Sequence, residues 1–298
     1  MSKRFNDITV VIPTLNEGEA IDKVLDELLE VGIPKENILI VDGGSTDGTV
    51  EKARSKGIRV VLQEGKGKAD AIRTAIKHIK TPLVLLMDGD YTYPAHYIPL
   101  LYEKIKQGYD LVIGARLFDK ESQGMIFRLG NKLLTKFFNI LFGTNLKDVL
   151  SGMYIIRASI LKRLPFETRS FGIESEIAAH IAYTTNKIAE VPIKYRRRLG
   201  KKKLKVWHGF LIVREMVRLT LRYNPTFFIF AMSSLLLILG LAIGVHALYC
   251  YLFLGVTNYI EGLVAIMFTL VGFQSLLLAI LSLYLKRMEY RLMRMFQK

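Results

Sequence analysis

Two carboxylates one residue apart, in Asp88-Gly89-Asp90, follow directly on the apolar run Leu83-Val84-Leu85-Leu86-Met87. An uninterrupted run of that length, introduced by Thr81-Pro82, predicts a strand buried on both faces. The ends of such strands are where open α/β sheets take ligands. Paired carboxylates there suit a hard divalent cation, since Mg²⁺ or Mn²⁺ joins one or two carboxylates to substrate phosphates. Gly89 adds close backbone approach to that ligand. A solvated acidic turn has the same composition, so the pair gains meaning only from its surroundings.

Those surroundings alternate strand and helix. Residues 9–12 form a β-branched apolar run, and 19–31 carry helical spacing through Ile21, Val24, Leu25, Leu28 and Leu29. Strands are predicted at 38–41, 59–62, 83–87 and 111–114, with helices at 49–56, 69–79 and 97–107. This rhythm implies a mostly parallel sheet covered on both faces. Neither G-x-G-x-x-G nor the Walker pattern occurs, which disfavours a dinucleotide or P-loop fold. Residues 125–142 place Arg128, Asn131, Lys132, Thr135, Lys136 and Asn139 on one side of a helix. Ile126, Leu129, Leu133, Phe137 and Ile140 lie on the other. Such a basic amphipathic helix is either interfacial or packed on the sheet. Residues 207–223 are a second candidate, with Trp207 suited to a membrane interface.

The length allows one or two domains. Hydrophobic residues make up 51% of the chain beside 23% charged ones, which suggests a soluble part joined to a membrane part. Between Arg222 and Lys286 there is no Lys or Arg, and Glu261 is the sole acid. Two apolar stretches, 227–249 and 263–285, are long enough to span a bilayer, with 255–262 as the turn. A buried soluble hairpin is the alternative, but few soluble cores tolerate so long an uncharged run. Arg214, Arg218 and Arg222 precede the first stretch; Lys286, Arg287, Arg291, Arg294 and Lys298 follow the second. The positive-inside rule then puts both termini and the preceding domain in the cytoplasm. The N-terminal residues lack the apolar core of a signal peptide. Cys250 is the single cysteine, so neither an intrachain disulfide nor a thiolate metal cluster is expected. The net charge of +15 is concentrated near the expected membrane segments, which favours anionic lipid head groups over nucleic acid. The expected division is a catalytic domain at 1–204, a juxtamembrane helix at 205–225, a two-helix anchor at 226–286 and a basic tail at 287–298.

The order of short motifs resembles family 2 glycosyltransferases, and within them the polyprenyl-phosphate (dolichyl-phosphate) mannose or glucose synthases. The carriers are Val11-Ile12-Pro13-Thr14-Leu15-Asn16-Glu17, Val41-Asp42-Gly43-Gly44-Ser45-Thr46-Asp47-Gly48-Thr49, Lys66-Gly67-Lys68-Ala69, Asp88-Gly89-Asp90 and Gly114-Ala115-Arg116. Asp148 with Ser151-Gly152, and the stretch from Val191 to Leu204, follow in the same order. The resemblance implies a GT-A-like nucleotide-sugar-binding domain followed by two transmembrane helices. Three positions depart from the family's habit: Gly43 stands for an acid, Thr92 for a frequent Gln, and Lys202-Lys203-Leu204 for Ser-Lys-Leu. The sugar and the nucleotide base therefore stay open among UDP-glucose, UDP-GlcNAc and GDP-mannose.

The implied activity is inverting transfer of a hexose from a nucleotide sugar to a polyprenyl (dolichyl) phosphate. The implied metal, Mg²⁺ or Mn²⁺, sits on Asp88 and Asp90. Pro13, Asn16, Glu17, Asp42, Lys68, Asp88, Gly89 and Asp90 are the expected donor-binding residues. The acceptor phosphate is already anionic and needs no strong base, only cations against charge repulsion. Arg116, Arg128 and Arg198, with Asn131, are the expected acceptor group, and Asp90 and Arg116 the expected catalytic pair. Glu174 and Glu176 belong either to the acceptor region or to a helix start. The expected partners are the nucleotide sugar, the lipid phosphate and membrane lipids; homo-oligomerisation stays open. A processive synthase would carry Gln-x-x-Arg-Trp, but the single tryptophan, Trp207, follows Val206. A catalytically inactive lipid-binding scaffold is the rival from another class.

Overall fold

The computed structural model describes residues 5–117, 124–166, 172–200 and 207–296. Its elements run β1 (Ile8–Thr14), α1 (Ile21–Val31), β2 (Ile38–Asp42), α2 (Thr49–Ser55), β3 (Arg59–Leu62), α3 (Lys68–Ile76), β4 (Leu83–Leu86), α4 (Ile98–Lys106) and β5 (Leu111–Leu117). There follow α5 (Met125–Phe142), β6 (Tyr154–Arg157), α6 (Ala158–Leu161), α7 (Ile173–Thr184), β7 (Ile188–Lys194), α8 (His208–Tyr223), α9 (Pro225–Leu254) and α10 (Tyr259–Phe296). The backbone divides into two compact units, Met1–Leu219 and Thr220–Lys298.

In the first unit the described strands form one sheet in the order β3-β2-β1-β4-β6-β5-β7. Neighbours are parallel except where β6 runs antiparallel to β4 and β5. β1, β2 and β4 are buried almost throughout, as their continuous apolar runs require. α1 covers them with Ile21, Val24, Leu25 and Leu28, and ends where Gly32 takes a φ of 93° and donates to Leu28 and Leu29. From β3 the chain crosses over to place β4 on the far side of β1. The strand order thus reverses between β1 and β4, and the crevice beyond their C-terminal ends is the ligand position of doubly wound sheets.

Two strands depart from the expectation of five. β6 has an apolar run too short to stand out from a loop. β7 contains Pro192, which argues against a central strand, but β7 is at the sheet edge and tolerates it. α3 stops at Ile76, short of the expected 79.

In the second unit, Pro225–Leu254 and Tyr259–Leu285 are long and apolar enough to cross a membrane, extending both expected spans. The helices touch through glycine. A Cβ on Gly240 would fall 2.6 Å from the Thr269 amide nitrogen, and one on Gly272 would fall 2.7 Å from that of Leu237. Small residues at such crossings let backbones pack closely, the usual basis of helix pairing in lipid.

Candidate active site

The loops after β1 and β2 are laced together. The Asn16 amide donates to Ser45 Oγ at 2.8 Å, and the Thr46 amide donates back to Asn16 Oδ1 at 2.8 Å. The Glu17 amide reaches Thr49 Oγ1 at 3.0 Å and the Gly18 amide reaches Asp47 Oδ2 at 2.7 Å. Asn16 holds a φ of 53°, a conformation asparagine tolerates better than most residues. Asp42 ends β2, buried, with both oxygens engaged. It accepts from the Thr14 hydroxyl at 2.9 Å, the Gly44 and Ser45 amides at 2.8 Å each, and the Ser45 hydroxyl at 2.5 Å. Its carboxylate ties β1 and the loop after β2 together.

Asp88 and Asp90 lie just beyond β4. Asp90 is buried, and its Oδ1 accepts from the Thr92 hydroxyl at 2.5 Å. Burial, and then the charge of Asp88, push the Asp90 carboxyl above the usual aspartate value. Each acid meets a cation that also holds a second acid. Lys68 Nζ lies 2.6 Å from Asp88 Oδ1 and 2.7 Å from Glu174 Oε1. Arg198 reaches Asp90 Oδ2 at 3.1 Å and Glu17 Oε1 at 2.5 Å. Burial alone would lower the Lys68 pKa, but Asp88 and Glu174 outweigh it and hold the ammonium well above the usual lysine range. The segment bearing Arg198 is fixed by its backbone: the Arg196 amide donates to Thr92 O at 2.9 Å and the Leu199 amide to Asp90 O at 3.2 Å.

The donor set fits a divalent cation. It offers hard carboxylate oxygens from two acids one residue apart. A Cβ on Gly152 would fall 2.1 Å from Asp88 Oδ2, so only glycine leaves that carboxylate its place. Among the described residues no cluster of three or more His, Cys, Asp or Glu could cage a metal. An ion held by one or two carboxylates takes its other ligands from substrate phosphates and water. Gly89 also meets a packing demand. Its Cβ would press on Ile12 and Thr14 of β1 at 3.1 Å, so it serves packing.

A second charged group lies behind β5. Asp148 takes Arg116 Nε at 2.6 Å, Arg116 Nη2 at 2.8 Å, the Arg116 amide at 3.0 Å and Asn131 Nδ2 at 2.8 Å. Arg116 Nη2 also donates to Asn131 Oδ1 at 3.0 Å, and the guanidinium lies over the Tyr195 ring. Glu190 on β7 accepts from the Lys147 amide at 2.8 Å and the Asp148 amide at 2.9 Å. On α5 the buried side carries Asn131, Thr135, Phe138 and Leu141. Ile126, Leu129, Leu133 and Ile140 stand exposed, so the helix turns its apolar stripe outward. Arg128 forms no ion pair among the described residues, and its buried Nε has no hydrogen-bond partner.

The expected acceptor arginines therefore occupy different settings. Arg116 and Asn131 come together around Asp148, Arg128 stands one turn before Asn131, and Arg198 joins Glu17 and Asp90 on the donor side. Pro13 lies within β1, paired with Val41. Lys68 is a half-buried cation held between Asp88 and Glu174. Glu174 belongs to this cluster, whereas Glu176 is buried within α7. Tyr154 was not anticipated: its buried hydroxyl has no hydrogen-bond partner among the described residues, and burial first, then Glu174, raise its pKa well above the usual tyrosine value. Its only sequence signal was its position just past Ser151-Gly152. Residues 201–204, including Lys202, Lys203 and Leu204, lie outside the described residues.

A glycosyl transferase family 2 model matches residues 9–164. The chain is 31% identical over 281 residues to the glycosyltransferase AglJ of Haloferax volcanii, covering 92% of each. It is 35% identical over 206 residues to a dolichyl-phosphate hexose transferase of the same organism, covering 69% of this chain and 90% of the relative. Among solved structures, it resembles a glucosyl-3-phosphoglycerate synthase from Mycobacterium tuberculosis in complex with Mn²⁺, UDP-glucose and phosphoglyceric acid. The TM-score is 0.59 at 23% identity, over 72% of this chain and 79% of that one. That likeness carries the GT-A-like fold.

Proposed function

We propose that this chain, which belongs to glycosyl transferase family 2, is a membrane-anchored hexosyltransferase that moves a sugar from a nucleotide donor to a polyprenyl (dolichyl) phosphate. The observation that carries the reading is the Asp88–Asp90 pair in the crevice beyond β1 and β4, with Gly152 making room for the Asp88 carboxylate. The likeness to a dolichyl-phosphate hexose transferase supports the acceptor class. So does the outward apolar stripe of α5, beside which Arg128 brings charge to a lipid head group.

A divalent cation on Asp88 and Asp90 would neutralise the leaving diphosphate as a Lewis acid. The chain's own groups do the rest. The laced loops around Asn16, Glu17 and Asp42 form the floor of the donor pocket, and Arg198 sets Glu17 against Asp90. Arg116 and Asn131 hold α5 to β5, and Arg128 offsets the charge of the acceptor. The acceptor oxygen forms its bond to C1 as the C1–O bond to the diphosphate breaks, and the electron pair leaves with the nucleoside diphosphate. No proton has to move, and a single displacement inverts the anomeric configuration. Residues 1–204 act as the catalytic part, 205–225 as the juxtamembrane helix, 226–286 as the anchor and 287–298 as a basic tail. The basic flanks put both termini on the cytoplasmic side.

The test is a donor panel of UDP-glucose, UDP-GlcNAc and GDP-mannose with purified full-length protein, polyprenyl phosphate and Mn²⁺. One donor should yield an acid-labile lipid-phosphate sugar, abolished by EDTA. Transfer that persists in excess EDTA contradicts the metal-dependent reading. No turnover of any donor favours a scaffold that kept the fold.

A further inference from the structure

The Asp88–Lys68–Glu174 contact is not explained by binding a sugar donor. Lys68 opens α3 and Glu174 lies in the first turn of α7, far apart in sequence. The ammonium sits within 2.7 Å of both carboxylates, and both ion-pair distances are those of charge-assisted hydrogen bonds. A divalent ion on Asp88, bound at about 2.0–2.1 Å, would bring its charge close beside the ammonium already on Oδ1, and two cations so near repel. Lysine suits such an exchange: it is a point charge on a flexible stem, whereas arginine would lock onto a carboxylate with its planar fork. Beside these groups the Tyr154 hydroxyl is buried with no hydrogen-bond partner among the described residues.

We infer that Lys68 is a built-in competitor for the divalent cation at Asp88, and that Glu174 is a positioning residue that receives the lysine when the cation binds. The inference rests on the metal-dependent reading above and goes beyond it by assigning Glu174 a role. Glu174 makes the exchange easier: an ammonium leaving Asp88 keeps one carboxylate and stays in the crevice, where its charge serves the diphosphate. Without Glu174, Lys68 would have Asp88 as its remaining carboxylate and would hold it more tightly. Removing the lysine and removing the glutamate should thus shift metal affinity in opposite directions.

The experiment is Mn²⁺ binding to the purified full-length protein without nucleotide, read by electron paramagnetic resonance of the free ion. Lys68→Met should bind Mn²⁺ about tenfold more tightly than the parent, and Glu174→Gln about tenfold more weakly, the lower end of the usual effect of residues that tune a metal site from outside its ligands. In the Lys68→Met background, Glu174→Gln should change nothing further. Unchanged or weaker binding by Lys68→Met overturns the inference, as does an equal Glu174→Gln effect in both backgrounds. Should Lys68→Met fail to fold, Lys68→Gln, which keeps a polar side chain without the charge, takes its place in both comparisons. Asp90→Asn separates this from the underlying reading. If the parent binds no Mn²⁺, or Asp90→Asn binds it undiminished, the metal site itself is wrong and the inference falls with it. If Asp90→Asn abolishes binding while the lysine and glutamate variants do not shift it, only the inference falls.

Discussion

Arg116 and Arg198 each meet an aspartate in the same unit, but their surroundings differ. Arg116 is almost fully buried and gives Asp148 three of its donors; Asn131 supplies a fourth, and Glu190 secures the backbone at Asp148. Arg198 is shared between two carboxylates, and its buried Nε has no hydrogen-bond partner among the described residues. Lys68 repeats this sharing with Asp88 and Glu174. A pair whose every lone pair is used resists exchange, because breaking it strands a buried charge. A cation divided between two acids gives up one partner at lower cost. The Asp148 group therefore reads as framework and the Asp88–Asp90 group as machinery, although both are built from the same residue types.

The largest effect expected from that contrast is at Asp90. Asp90→Asn should lower transfer by at least about a thousandfold while the protein keeps its thermal transition, because a ligand charge is lost without a packing change. Transfer at the parental rate would break the comparison on the machinery side. Asp148→Asn should do the reverse. Stranding Arg116 in a buried site should cost about 3–5 kcal/mol of stability, seen as a large fall in the denaturation midpoint. A variant as stable as the parent would mean that Arg116 is not framework.

Next in size is the division between the two sides of the crevice. Arg198→Gln should raise the donor KM about tenfold and leave the acceptor KM near the parental value, the cost of losing one charged hydrogen-bonding group. Arg128→Gln should raise the acceptor KM by a similar factor and spare the donor. Separate titrations of each substrate check this. If both variants affect the acceptor alone, Arg198 belongs with Arg128, as the sequence had suggested.

Much of the framework was legible because it rests on local pattern. The runs that became β1, β2 and β4 are buried on both faces, and α1 shows its spacing without ambiguity. The outlines of α5 and the two apolar helices were also visible. What escaped was decided by partners distant in sequence. Nothing near Lys68 announces Glu174, and nothing near Arg198 announces Glu17; the pairs exist because α7 and the segment after β7 return to the ends of β1 and β4. β6 was hidden because a four-residue strand gains its identity from the neighbours that flank it. For the same reason the sequence grouped the arginines by type, whereas the fold separates them by what else each one touches.

The smallest expected effect tests the framework at its outer edge. Glu190 holds the amides of Lys147 and Asp148, and through them the loop that presents Asp148 to Arg116. Burial raises its pKa above the usual glutamate value of 4.5, against the opposing pull of those two amides. A carboxylate with a raised folded-state pKa contributes stability that is fully present below its unfolded value and is lost as the pH climbs through the folded one. Glutamine does not titrate. The stability of the parent relative to Glu190→Gln should therefore decline as the pH rises from about 4.5 through the raised pKa, then level off. The change should be small, because the site is partly solvated and its ionised form keeps two amide hydrogen bonds. Paired thermal denaturation curves across that range measure it. A relative stability that rises with pH would mean that the amides outweigh burial. Glu190 would then be a charged anchor of the Asp148 loop, working in its ionised form like Asp148 itself.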